Sequence, residues 1–270
     1  MSDSSQTVSA VDVDGYIFSR SVYLQVILQV VLKEMGDLYD KRCLVVGSPN
    51  VFISRQLRIA GGEWSDLAFD EGKAGVLRDA IGGDAGIKVF EKGKALPFDG
   101  KSFDIVLILD GLNGSGSDYD FIELCHKVLD SDGLLVVCVP REKKLSLISF
   151  LRSLFGITDA VFGERQLFDI LKNGFDVMQM RSFARFFSEL VDVVVRRRAG
   201  SRGTPQELMG LYKVAYPFYW VAYQLDLLLF LSKGHRLVAR AKRHAWRSRD
   251  APVLSDGRTI SEAVLKPLAD

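Results

Sequence analysis

The chain has 270 residues, with 35 lysines and arginines against 34 aspartates and glutamates. Near neutrality removes a global electrostatic case for a nucleic-acid partner, and the length suffices for a substantial core. Cys43, Cys125 and Cys138 form no CxxC pair and the three histidines are scattered, which excludes a metal-ligand motif and predicts buried free thiols in a reducing compartment.

Residues 1–14 are polar and acidic, unlike the positively charged start of a secretory signal, so the cytoplasm is the expected compartment. Residues 21–39 read as a helix: Val22, Leu24, Val26, Ile27, Leu28, Val30, Val31 and Leu32 are apolar, while Gln25, Gln29 and Lys33 recur at every fourth position. That spacing leaves one narrow wet stripe on an otherwise buried helix. Residues 41–47 form a short, continuously apolar strand, the pattern of a parallel sheet covered on both faces. Residues 52–60 suit a helix, ended by Gly61-Gly62.

The alternation continues with a strand at 64–69, a helix at 72–81 closed by Gly82-Gly83, and a strand at 87–90. "SFDIVLILDG" (102–111) is a strand, 119–129 a helix, and "GLLVVCVP" (133–140) a fully apolar strand. A helix at 164–173, capped by Gly174, leads into the strand "FDVMQMRSF" (175–183). Such alternation predicts an α/β fold: a doubly wound, Rossmann-like, mostly parallel sheet with helices on both faces. Ligands of such sheets bind beyond the C-terminal strand ends.

The order breaks after Phe183. Residues 187–198 read as a helix ending in three arginines, 199–205 as a turn, and 212–231 as strongly apolar and aromatic. "HRLVARAKR" (235–243) alternates, with Leu237, Ala239 and Ala241 on one face and Arg236, Val238, Arg240 and Lys242 on the other. That predicts a half-exposed last strand at or near a sheet edge, preceded by a helical insertion. Thr259 and Glu262 have the spacing of a capping box opening a short helix. The expected organisation is a helical segment at 1–40, an α/β core at 41–183, the insertion at 184–234, and the final strand with its tail at 235–270.

Three stretches in order, "ALPFDGKSFDIVLILDGL" (95–112), "CHKVLDSDGLLVVCVPR" (125–141) and Leu171 to Phe183, resemble the class I S-adenosylmethionine-dependent methyltransferases. Within that family the likeness is to the small-molecule group with an "LPF…SFD" signature, and with the first strand it covers roughly residues 41–183. The resemblance implies S-adenosylmethionine as cofactor and an acid, a glycine-rich turn and a helix N-terminus after the first strand. Here Gly47 matches the first glycine, Val45 stands at the position of the acid, and Pro49 and Val51 replace further glycines. The motif is degenerate. A second implied contact, an acid on the ribose hydroxyls, falls on Asp70, which also suits a helix N-cap. A third, an acid on the adenine amino group, aligns with Lys92, with Glu91 beside it. Asp110 closes the fourth strand before the glycine- and serine-rich "DGLNGSGSD" and reads either as a site residue or as a turn cap. Arg141 reads as a contact for an acidic substrate or as a solvated charge. No catalytic base is identified by pattern.

The candidate cofactor contacts are therefore Gly47, Asp70 and Asp110, and no metal is expected. The leading function is a methyltransferase-like protein acting on a small or lipid-linked molecule. Its rival is a non-catalytic scaffold or partner subunit with a degenerate cofactor site. The aromatic 212–231 stretch either packs across the sheet, forms a homo-oligomer surface, or rests with the basic 233–249 segment on an anionic membrane as a peripheral anchor. Gln224 and Asp226 interrupt it too centrally for a membrane span.

Overall fold

The computed structural model describes residues 10–83, 86–91, 93–109, 111–112, 117–142, 161–183, 186–199, 204–228 and 234–246. Among these, seven strands form one sheet: β1 (Arg42–Val46), β2 (Glu63–Ala68), β3 (Ile87–Val89), β4 (Phe103–Ile108), β5 (Leu129–Pro140), β6 (Phe175–Phe183) and β7 (Arg236–Arg243). Their order is β3-β2-β1-β4-β5-β7-β6. Neighbours from β3 through β5 are parallel, while β7 runs antiparallel to both β5 and β6.

The helices among the described residues are α1 (Ala10–Arg20), α2 (Val22–Met35), α3 (Val51–Ile59), α4 (Glu71–Ile81), α5 (Ser117–Val128), α6 (Glu164–Leu171), α7 (Phe186–Ala199) and α8 (Pro205–Leu228). Strand alternation distributes the core between two layers. Cys43 and Val45 of β1, Leu107 of β4 and Val238 of β7 pack with α2, α3, α7 and α8. Leu44 and Val46, Val106 and Ile108, and Leu237 and Ala239 pack with α5 and α6 on the other side. Both faces are dry, which is why the strands read as unbroken apolar runs. The architecture is thus doubly wound with helices on both faces, and α7 and α8 form the helical insertion before the last strand.

Local chemistry accounts for the element ends. Ser21 caps α2 by accepting the Leu24 N–H at 3.3 Å, and Gly82 closes α4 with a φ of 80°. The wet stripe on α2 holds at Gln29 and Lys33, which are exposed. Glu34 beside it is buried against Arg181 of β6.

Three differences from the sequence reading have physical causes. Helix α1 is an additional element in the N-terminal segment, held by α3, α8, α2 and α4 rather than by its own propensity. Strand β5 begins at Leu129 rather than 133, because its first residues pair with Phe103 before a register shift to Ile105 and Leu134. Strand β7 is flanked on both sides and mostly buried, not half-exposed. Its charged alternation misleads because Arg236 is buried, donating to the Tyr23 hydroxyl at 2.7 Å. Long basic stems can line a core when the head finds a partner. The capping box at Thr259 lies outside the described residues.

Candidate functional site

After Val46 the chain turns at Gly47, whose φ of 64° lies in the left-handed region. A Cβ there would strain the backbone, so glycine suits the turn. The Gly47 N–H donates to the Leu67 carbonyl of β2 at 3.2 Å and pins the turn to the neighbouring strand. The residues that replace further glycines serve to start α3. Asn50 caps it, with Oδ1 accepting the Phe52 N–H at 2.9 Å, and the Ser48 hydroxyl donates to the Asn50 carbonyl at 2.7 Å.

Helix α1 closes over this turn. Asn50 Nδ2 donates to the Asp14 carbonyl at 3.2 Å, and the Val51 N–H points to Asp14 Oδ2 at 3.5 Å. Phe18 stacks on Phe52 with centroids 6.4 Å apart. Burial pushes the Asp14 carboxyl above the usual aspartate range, and the Val51 N–H only partly offsets this.

Between the turn, the end of β2 and the start of α4 lies an open cleft of about 440 Å³. Gly47 to Val51, Asp14, the β2 end from Asp66 to Asp70, and Gly72, Lys73, Val76 and Leu77 line it. It sits beyond the C-terminal ends of β1 and β2, where open parallel sheets bind ligands, and its size is that of a small-molecule site. Its polar lining holds three acids and one base: Asp14 on one side, Asp70 with Lys73 on another, and Asp66 beneath. Asp66 is held by Arg58 and by the Ser54 hydroxyl at 2.7 Å.

Each expected site residue has a defined place. Gly47 forms the floor of the cleft. Asp70 caps α4, with Oδ1 accepting the Lys73 N–H at 2.7 Å, as the helix-cap reading expects, and it also lines the cleft. Asp110 and Lys92 lie outside the described residues. Glu91 pairs with Lys94 and is not among the residues lining the cleft. Val45 is buried in the apolar layer beneath α2 and α3, away from the cleft. Arg141 is not a solvated charge: it is largely buried, pairs with Glu164 at 3.0 Å and donates to the Gly234 carbonyl at 3.3 Å. Asp14 is the residue the sequence reading missed. The signal available was an aspartate one residue before a glycine in an apolar frame, "VDVDGYIF", which becomes informative only once α1 is known to fold onto the turn.

Elsewhere, Cys43, Cys125 and Cys138 are buried and form no disulfide, and burial pushes the Cys43 thiol up to about 12. Among the described residues no cluster of three or more His, Cys, Asp or Glu side chains is placed to hold a metal. None of the described helices alone is long and apolar enough to cross a membrane. Asp226 does not interrupt the outer face of α8: it turns inward and accepts the Phe187 and Ser188 N–H groups at 2.8 and 2.9 Å, capping α7. The outer surface of α8 exposes Val214, Tyr216, Phe218, Trp220, Val221, Tyr223, Leu225 and Leu227.

No family model matches the sequence, and no curated protein matches it significantly. Solved structures do. A SAM-dependent methyltransferase from Methanosarcina mazei is 14% identical over 79% of this chain and 96% of that one, with a TM-score of 0.54. The mycolic acid cyclopropane synthase CmaA1, solved with SAH and CTAB, is 14% identical over 82% and 84%, with a TM-score of 0.55. Phosphoethanolamine N-methyltransferase 2 of Haemonchus contortus, solved with S-adenosyl-L-methionine, is 14% identical over 89% of this chain and 58% of that one, with a TM-score of 0.54. At such identities the shared property is the fold, which is that of the class I methyltransferases.

Proposed function

We propose that the chain is an S-adenosylmethionine-dependent methyltransferase of the small-molecule type, with a degenerate glycine motif. The observation that carries this reading is the cleft beyond β1 and β2, floored by the Gly47 turn and lined by Asp14, Asp66 and Asp70 with Lys73. The residues suit the cofactor chemically, because S-adenosylmethionine carries a sulfonium and an ammonium and is cationic overall. Gly47 admits close backbone approach, and Asp70 stands where a ribose diol can donate to a carboxylate. The cofactor supplies a methyl group on an activated sulfur. The chain's part is then to bind, orient and exclude water, and positioning alone contributes much of the rate in such transfers.

Calorimetry with S-adenosylmethionine and S-adenosylhomocysteine tests this directly. Micromolar binding is expected; heat of neither ligand at millimolar concentration overturns the reading and leaves a non-catalytic scaffold. Asp70→Asn separates the two duties of that residue. Asparagine caps a helix as well as aspartate, so the melting temperature should hold, while loss of the charged acceptor should weaken cofactor binding about tenfold. Equal affinity in wild type and variant would remove Asp70 from the site.

For the acceptor, the eight exposed apolar side chains of α8 support a lipid-linked substrate presented at an anionic membrane surface. With Asp226 turned inward, this face keeps its tyrosines and tryptophan without an acidic group among them, and Lys213, Arg197 and Arg198 are exposed nearby on α7 and α8. Flotation with phosphatidylserine vesicles should carry the protein upward at low salt, and Phe218→Ser with Trp220→Ser should abolish this. Absence of flotation with wild type excludes the membrane reading. Elution as a dimer that the same double variant converts to monomer would assign the face to a homo-oligomer.

A further inference from the structure

We infer that Asp14, reaching into the cleft from α1, is the residue that holds the ammonium end of the cofactor's amino-acid moiety. This rests on the methyltransferase reading above and assigns a residue to it. The argument starts from what β1 lacks. Position 45 is a valine packed in the apolar layer under α2 and α3, so no carboxylate comes to the cleft from β1. The turn that follows offers one hydroxyl, one amide and a proline. A small cation seated on this turn has Asp14 as its carboxylate: the residue lines the same cleft as Gly47 and Ser48, with Oδ2 3.5 Å from the Val51 nitrogen.

The electrostatics of Asp14 agree with that geometry. Among the described residues no lysine or arginine pairs with it, and its carboxyl is supported in the cleft by the Val51 N–H at the α3 N-terminus. Burial disfavours its ionised form, a cost that an arriving ammonium offsets. The position is also well fixed. The Asp14 carbonyl is held by Asn50 Nδ2 at 3.2 Å, and Phe18 of the same helix stacks on Phe52 of α3. A carboxylate delivered by a packed helix is as rigidly placed as one at a strand end.

The test compares two ligands on one variant. S-adenosylhomocysteine carries the amino-acid end; 5′-methylthioadenosine lacks it. Asp14→Asn keeps an oxygen acceptor for the Val51 N–H and removes the charge. The expected result is a loss of about 10- to 100-fold in affinity for S-adenosylhomocysteine, with 5′-methylthioadenosine binding within about twofold of wild type. Asp14→Glu should recover part of the loss, and an unchanged melting temperature should accompany both. Equal weakening of both ligands overturns the inference, since Asp14 then only tethers α1 to the turn. Unchanged binding of both overturns it too, and tighter S-adenosylhomocysteine binding would place Asp14 against the ligand's carboxylate instead. If wild type binds neither ligand, the cofactor reading itself fails, and the assignment with it.

Discussion

Gly234→Ala is expected to cost the fold about 3 kcal/mol or more, the upper range for overpacking. A Cβ at this position would lie 2.0 Å from the Phe183 carbonyl oxygen and 2.4 and 2.5 Å from its carbonyl carbon and nitrogen. All three are backbone atoms at the end of β6, and no rotamer change relieves them. The contact is also braced: the Gly234 N–H donates to the Ser182 hydroxyl at 3.1 Å, and its carbonyl accepts from Arg141. Two residues later β7 begins, with Arg236 in register with Phe183. Any side chain therefore pries apart the strand pair where it starts. Urea unfolding should show a lower midpoint, with a melting temperature down by about 10 °C. Gly210→Ala is the control, because nothing lies within 4 Å of a Cβ there and the residue is inside α8; it should stabilise by about 0.5–1 kcal/mol. Equal midpoints for Gly234→Ala and wild type would show that β6 and β7 can separate here without loss.

Asp66→Ala should cost about 3 kcal/mol. Asp66 is 1% exposed on β2 and ties α3 to the sheet through Arg58 and the Ser54 hydroxyl. Removing one member of a buried pair strands the other, at about 3–5 kcal/mol. The lower end applies because Arg58 also donates to the Ser54 and Trp64 carbonyls at 3.1 Å each and keeps some access to water. The Arg58→Ala, Asp66→Ala double variant should be less destabilised than the sum of the singles; strict additivity would show the pair to be uncoupled. The pH dependence has a definite sign. Burial pushes the Asp66 carboxyl upward, and Arg58 and Ser54 pull it back only partly. With the folded value above the unfolded one of about 3.9, its contribution is full below that pH and declines as pH rises through the folded value. Asp66→Asn should abolish that slope.

The sequence showed most of the sheet because of how the sheet is covered. Strands β1, β4 and β5 have helices on both faces, so their residues are apolar without alternation, and glycines at 61, 82 and 174 mark where neighbouring helices end. The position of β7 was hidden for the opposite reason. Arg236, Arg240 and Lys242 look like a wet face, yet the strand is inserted between two others, where Arg236 finds Tyr23 and Cys138 and Lys242 finds Asp132. Of the cleft lining, Gly47 and Asp70 were legible because each follows an apolar strand closely, where position along the chain and position in the cleft coincide. Asp14 was not. It sits on a helix containing Asp12, Gly15 and Ser19, poor helix formers that fold only against other elements. Its partners Asn50 and Val51 are far along the chain, so no local pattern records the contact.

The order of the sheet also bears on how the chain is made. Among the described residues strand β6 has β7 as its one neighbour, and β7 comes off the ribosome only after α7 and α8. Throughout that interval β6 has no strand to join, and the β5 edge that will receive β7 stands open. The parallel half, from β3 to β5, can close first, but the last edge must wait for a late segment to thread between two earlier ones. Such non-local pairing is slow, and nascent chains interrupted before residue 236 carry two unsatisfied edges that invite misassociation.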